Sequence, residues 1–428
     1  MSLVLSHSEL ATSRIEKDVL FKRDFILLLI SVFFFVFSII SAGLAVPLFL
    51  RSRGHSNAVI GIVLTLPVAI AAFLRPFAGR GSDSYGRKVF LLIGSFAAGS
   101  ACILYAKSAT VPAFFLASLC MASGFASFDT SSYALAGDLA PRSRRVEATT
   151  FIGVSWGAAS ILAPLLVLVG RQSLGFSFVF TIAGCAGALA FTAALLVRNV
   201  KVAQAVKTRT PVLKMNSMQR AALLPVLLFA AFSGLTGSFL VLSARKAGIP
   251  YGELFFTVSG AVVVSGRILG RKLGDRHSKR SVIVMSGLGI SLTLVIISFA
   301  QNLSTFILCA VLSGLSTLFL WPATTAFLLD HTPVEERGMA IGRNAAVFDV
   351  AFGGLTAALA PLADLLGYQL MYLTAVVLML TSIVLFMRAT KNEFAEPAFP
   401  RGQQGDNPVF CLRSLVIVSK RKWKEDNA

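Results

Sequence analysis

The sequence predicts an all-α membrane protein: twelve spanning helices in two related six-helix bundles, with both chain ends on the cytoplasmic side. Three observations carry this reading. Of 428 residues, 56% are hydrophobic and only 14% are charged, against about 25% charged in an ordinary soluble domain. Apolar runs close to the ~20 residues that a spanning helix needs recur along nearly the whole chain. Two charged loops, RPFAGRGSDSYGRK at 75–88 and RILGRKLGDRHSKR at 267–280, repeat one another at a fixed separation.

The expected spans, in order, are 24–50, 56–79, 89–107, 110–137, 147–170, 175–197, 221–243, 252–270, 281–300, 304–329, 339–365 and 367–388. Polar residues 1–23 precede the first span, whose apolar run is too long for a signal-peptide core, so no cleavable leader is expected. The stretch RNVKVAQAVKTRTPVLKMNSMQR, 198–220, is basic and free of acids; it is the expected linker between bundles 24–197 and 221–388. Residues 389–428 read as a polar tail, whose LVIV patch is too short to span. With both termini inside, twenty-one Lys and Arg fall in inner loops and six in outer loops, the asymmetry that sets orientation.

The net charge of +19 belongs to these loops, with no aromatic-basic stripe of the kind that binds nucleic acid. Cys102, Cys120, Cys185 and Cys309 lie within apolar runs and Cys411 in the tail, which reads as buried small side chains rather than a disulfide frame. Four scattered histidines offer no metal cluster, and no cofactor is expected. HExxH, GxSxG and GxxxxGK(S/T) are all absent from the sequence, which argues against an intramembrane enzyme or an ATP-driven pump.

A shift of 192 residues superimposes the two charged loops: Arg75 falls on Arg267, Asp83 on Asp275, Arg87 on Lys279 and Lys88 on Arg280. The same shift carries GDLAPRSRRVEA (137–148) onto LDHTPVEERGMA (329–340). Two loops agreeing on one offset indicate parallel duplicated halves. The first loop meets the inner-loop signature G-x-L-(A/S)-D-R-x-G-R-(K/R) at Gly79, Ser82, Asp83, Gly86, Arg87 and Lys88, with Gly81 and Ser84 departing from it. The second copy has Ser278 in place of the second glycine. On these residues the chain resembles the major facilitator superfamily of secondary transporters over about residues 20–390, and its bacterial efflux-type members most.

That resemblance implies a cytoplasmic gate built from Arg75, Gly79, Asp83, Gly86, Arg87, Lys88, Arg267, Asp275, Lys279 and Arg280. It places Asp83 at the start of the eleventh span, around Glu336–Ala340, where helix amides carry about half a positive charge. Arg87 and Lys88 are expected to anchor the loop to lipid phosphates and acidic neighbours. Two features of proton-driven drug exporters are missing: Cys120 stands where an arginine precedes Gly124, and Ala163-Pro164 is not followed by paired glycines. Gly153 and Gly157 remain as a close-packing pair.

Two acids lie deep within spans. Asp129 is nine residues before Asp138, about 13 Å in, and Asp349 twelve after Arg337, about 18 Å in, at 1.5 Å per residue. An ionised carboxylate at mid-bilayer costs about 2.5–3.5 kcal/mol even on insertion scales, so both are candidates for proton coupling or substrate contact. Arg343 joins them as a candidate, either pairing with a carboxylate or snorkelling to the inner surface. Glu253 opens the eighth span, where an acid is ordinary. Ser38, Ser41, Tyr133, Ser233, Thr236, Thr317 and Trp321 outline a candidate cavity wall, the hydroxyls being equally suited to helix packing.

The function expected is proton-coupled export of a small organic molecule by alternating access. The same cycle reversed would be uptake of a metabolite or sugar; a channel or receptor fits the duplicated loops less well. The expected partners are the substrate, the proton and the lipid bilayer, for a monomer in a bacterial inner membrane.

Overall fold

The computed structural model describes residues 20–108, 110–141, 144–198, 215–269, 278–333 and 336–391. The chain divides into two compact units, Met1–Arg388 and Ala389–Ala428, and the helices and candidate site belong to the first. Asp275, Cys411, most of the expected linker and nearly all of the expected tail lie outside the described residues.

Among the described residues the structure is all-helical. The first half holds α1 (Arg23–Ser52), α2 (Asn57–Ala72), α3 (Arg75–Tyr85), α4 (Arg87–Lys107), α5 (Val111–Leu139), α6 (Arg145–Ser173) and α7 (Gly175–Leu196). The second holds α8 (Ser217–Lys246), α9 (Leu254–Leu269), α10 (Lys279–Phe299), α11 (Leu303–Asp330), α12 (Arg337–Leu365) and α13 (Gly367–Ala389). Ten of these are long and apolar enough to cross a membrane, eleven if α2 and α3 form one broken span. The remaining expected span, 252–270, is α9, whose 16 residues fall just short of the usual 17–25.

The expected second span, 56–79, is not one straight helix. It breaks at Phe73-Leu74, and α3 leaves α2 at 52°. Pro76 sits in the first turn of α3, where a missing N–H costs nothing; continuing the helix through it would drive the ring into the carbonyl four residues back. The break makes Arg75 the first residue of α3 and turns its side chain away from the loop where sequence had put it.

Within the first half α1 packs on α6 and α7, and α4 on α5 and α7; within the second, α11 packs on α9 and α10. The halves meet along two broad seams, α2 against α12 and α6 against α9. Small residues set both. A Cβ at Gly353 of α12 would lie 2.8 Å from Ala69 Cβ of α2, and one at Gly153 of α6 would lie 2.7 Å from Arg267 Nη1 of α9. Gly157 likewise faces Val264, so the Gly153/Gly157 pair serves the seam between halves, where only small residues let helices approach this closely.

The α3–α4 junction explains one signature glycine. Gly86 has φ +100°, a region that L side chains rarely adopt. The matching Ser278 does not copy this backbone: at φ −64° it caps α10, its Oγ accepting from Ser281 N at 3.2 Å. One turn is built by backbone freedom and the other by a side-chain cap.

Candidate functional site

Arg75 joins the two halves. Its Nε and Nη2 donate to Asp349 of α12, the second at 3.3 Å, and its Nη1 donates to Asp129 of α5 at 3.1 Å. Phe125, one turn before Asp129, lays its ring under the guanidinium with the charge 5.2 Å from the ring centroid. The side chains are 10% exposed for Arg75, 3% for Asp349 and 19% for Asp129. A cation at the first turn of a helix opposes the helix dipole, and the two carboxylates offset that cost. The cluster carries two negative charges against one positive, so it can take a proton without leaving Arg75 unpaired.

The two candidate coupling acids are therefore brought together, on a residue assigned to the gate loop. Arg343, half-buried, lies about 9 Å along α12 from Asp349 at 1.5 Å per residue; the cation facing Asp349 is Arg75.

The rest of the signature stands at one end of the bundle, where α1 begins and α13 finishes. Asp83 pairs with Arg87, whose Nε also donates to Asp138 at 3.2 Å. Among the described residues Asp83 makes no hydrogen bond to the opposite half; residues 334 and 335, which lead into the expected seat at the start of α12, lie outside the described ones. Lys88 Nζ donates to the Leu195 carbonyl at 2.7 Å, capping the last turn of α7. The second copy repeats this at the same offset of 192: Lys279 pairs with Asp330, and Arg280 Nη2 donates to the Met387 carbonyl at 2.9 Å. Gly79 merely faces the Thr130 methyl.

The opposite end carries two contacts between halves that sequence reasoning missed. Asp364, at the end of α12, accepts from the backbone N–H of Asn57 at 3.0 Å, from Asn57 Nδ2 at 2.8 Å and from the N–H of Ala58 at 2.9 Å. Tyr368 donates to Asn57 Oδ1 at 2.7 Å. Beside them Glu253, 2% exposed, lies 3.3 Å from both Arg171 of α6 and Arg245 of α8. Sequence offered one signal for each: an acid in the last turn of one seam helix, and an acid opening α9 between basic residues ending α6 and α8.

The cavity candidates separate. Ser38 is sealed between α1 and α4 against Cys102, 3.5 Å away, and Thr236 is buried with its hydroxyl donated to the Phe232 carbonyl. Both pack helices. Ser41 is buried without a hydrogen-bond partner among the described residues. Ser233 and Thr317 are half-buried, Thr317 donating to its own helix at Ser313. Trp321 packs with Phe229 and Phe348, forming an aromatic wall one residue from Asp349. Tyr133 is 39% exposed, one turn beyond Asp129 on the same face of α5.

An all-helical pair of halves, with ten helices long and apolar enough to span and a buried arginine between two acids, defines a polytopic membrane protein. The Major Facilitator Superfamily model matches residues 27–276 and 242–425, and the chain belongs to that family. It is 25% identical over 381 residues to the staphylopine export protein of Staphylococcus aureus (strain Mu50 / ATCC 700699), covering 84% of this chain and 94% of that one. It is 32% identical over 124 residues to the multidrug resistance protein MdtG of Proteus mirabilis (strain HI4320), 28% of this chain and 30% of that one. A POT family transporter solved with 5-aminolevulinic acid shares the fold at a TM-score of 0.74 and 13% identity, covering 89% of this chain and 98% of that one. A variant of the nucleoside transporter NupG aligns at 0.72 and 15% identity, covering 86% and 100%.

Proposed function

We propose that this chain is a proton-coupled exporter of a small organic molecule, working as a monomer in a bacterial inner membrane with both termini cytoplasmic. The observation that carries the coupling is the ion cluster: one arginine of the first half shared by an acid of its own half and an acid of the other. Protonating Asp349 neutralises the stronger of Arg75's two partners. Arg75 then keeps Asp129, and the charge that ties α3 to α12 is gone. Because Arg75 stays paired with Asp129, the loss is that of its charge-assisted hydrogen bonding to Asp349, about 1.5–3 kcal/mol, a sizeable part of the ~5.5 kcal/mol that moves a two-state equilibrium from 1:99 to 99:1. A single proton at this place is enough to bias two bundle arrangements.

The end carrying Asp364 and Glu253 is assigned to the outside by the Lys and Arg bias. With that end fastened, the described arrangement is the one closed to the outside. The outward direction of transport rests on the relatives whose names are those of export and multidrug resistance proteins. The test is transport in proteoliposomes under an imposed pH gradient: substrate movement should saturate and should carry protons with it. Movement that ignores the gradient, or a non-saturating conductance, would rule the reading out.

A further inference from the structure

Arg267 of α9 is the counterpart of Arg75 at the offset of 192, yet its surroundings differ. The shift carries Asp129 onto Trp321 and aligns Gly157 with Asp349. The guanidinium is kept at Arg267, but the positions matching the two acids hold Trp321 and Gly157 instead. Among the described residues Arg267 makes one hydrogen bond, from Nη1 to the Gly153 carbonyl at 3.4 Å, long for such a bond. A guanidinium has five donors in a planar fork, and withdrawing it from water without a counter-charge is costly. Arg267 is half-buried, so most of that fork has no described protein partner.

Tyr133, one turn beyond Asp129 on α5, has a ring 39% exposed, and its phenol interacts electrostatically with both Arg267 and Asp129. Gly153 keeps the approach open, since a Cβ there would press on Nη1.

The geometry points to Arg267 and the Tyr133 hydroxyl as the binding point for an oxyanion, a carboxylate or phosphate, carried by the transported molecule. The assignment rests on the transporter reading above and adds the chemical class of the cargo. The fork accepts two oxygens side by side, and the phenol supplies one further donor. Arg75 is unsuited to the task because Asp349 and Asp129 already occupy its donors. The duplicated arginines have thus divided their work: one answers to protons and the other to cargo charge.

The experiment is protection of Arg267 from phenylglyoxal in the purified full-length protein, read by peptide mass spectrometry. Citrate and inorganic phosphate are the oxyanion probes, with sodium chloride at matched ionic strength as the control. Arg267 should react, and at least one oxyanion should slow the reaction about tenfold, the scale of a lost charge-assisted hydrogen bond, while chloride does not. Tyr133→Phe should weaken that protection. The better protector tells carboxylate from phosphate, and Arg75 should stay slow throughout. Equal reaction with and without both oxyanions, or no reaction at Arg267, overturns the inference. Because no gradient is involved, the assay can fail while proton-coupled transport stands, and the reverse holds equally.

Discussion

Asp364 seats its carboxylate on the backbone amides that open α2, so that Asn57 and Ala58 of one half and Asp364 of the other share three hydrogen bonds. The first amides of a helix have no partner within it, and a carboxylate there gains from both hydrogen bonding and the helix dipole. Sequence had expected this type of contact at the other end of the molecule, between Asp83 and the start of α12.

Asp364→Ala should unfasten that end. A hydrogen bond to a charged group contributes about 1.5–3 kcal/mol, so the open arrangement should gain about tenfold or more in population. In a background lacking the native cysteines, Tyr133→Cys should then react faster with a membrane-impermeant maleimide added outside. An unchanged rate would remove Asp364 from the gate.

Asp349→Asn and Asp129→Asn separate the two acids of the cluster. Both should abolish concentration of substrate by a pH gradient, while exchange of substrate across the membrane persists. Asp349→Asn should be the more damaging, because it replaces one of the two oxygens that accept from Arg75 with a donor and neutralises the only one of its two acids that belongs to the opposite half. If either variant still concentrates substrate, that acid is not part of the coupling.

The two signature turns make a paired prediction. Gly86→Ala forces a side chain to φ +100° and should cost about 1–3 kcal/mol. Ser278→Ala removes a cap and should cost about 1 kcal/mol. Gly86→Ser, which would be harmless if the copies were equivalent, should destabilise like Gly86→Ala. Thermal unfolding in detergent reads all three.

Much of this was open to sequence because membranes make charge expensive. Asp129 and Asp349 stood out as acids within apolar runs, and the offset of 192 is realised contact for contact at Arg87–Asp138 and Lys279–Asp330. Arg75 was legible as a residue but not as a partner, because its direction is set by a helix break at Pro76 that a hydropathy run does not register. Asp364 and Glu253 each stand near a helix end, where an acid is commonplace and gives no signal by itself. What makes them matter is the helix from the other half lying against that end, which is a tertiary fact. Ser38 and Thr236 show the converse: a hydroxyl in a span says nothing about which side of the helix has space.

Glu253 offers the sharpest test of how the far end holds together. It is 2% exposed and lies 3.3 Å from Arg171 across the seam and from Arg245 beside it. Glu253→Gln keeps the shape and leaves two cations facing each other over a neutral amide. Removing one member of a buried ion cluster costs about 3–5 kcal/mol, reduced here because Arg245 is itself 36% exposed. The variant should therefore unfold at a lower temperature and, like Asp364→Ala, label faster from outside. Adding Arg171→Gln removes one of the stranded cations, so the double variant should recover part of the loss, with a coupling of about 1–3 kcal/mol. Simple additivity of the two single losses would mean that the halves are not joined through this pair, and Asp364 would then carry the closure without it.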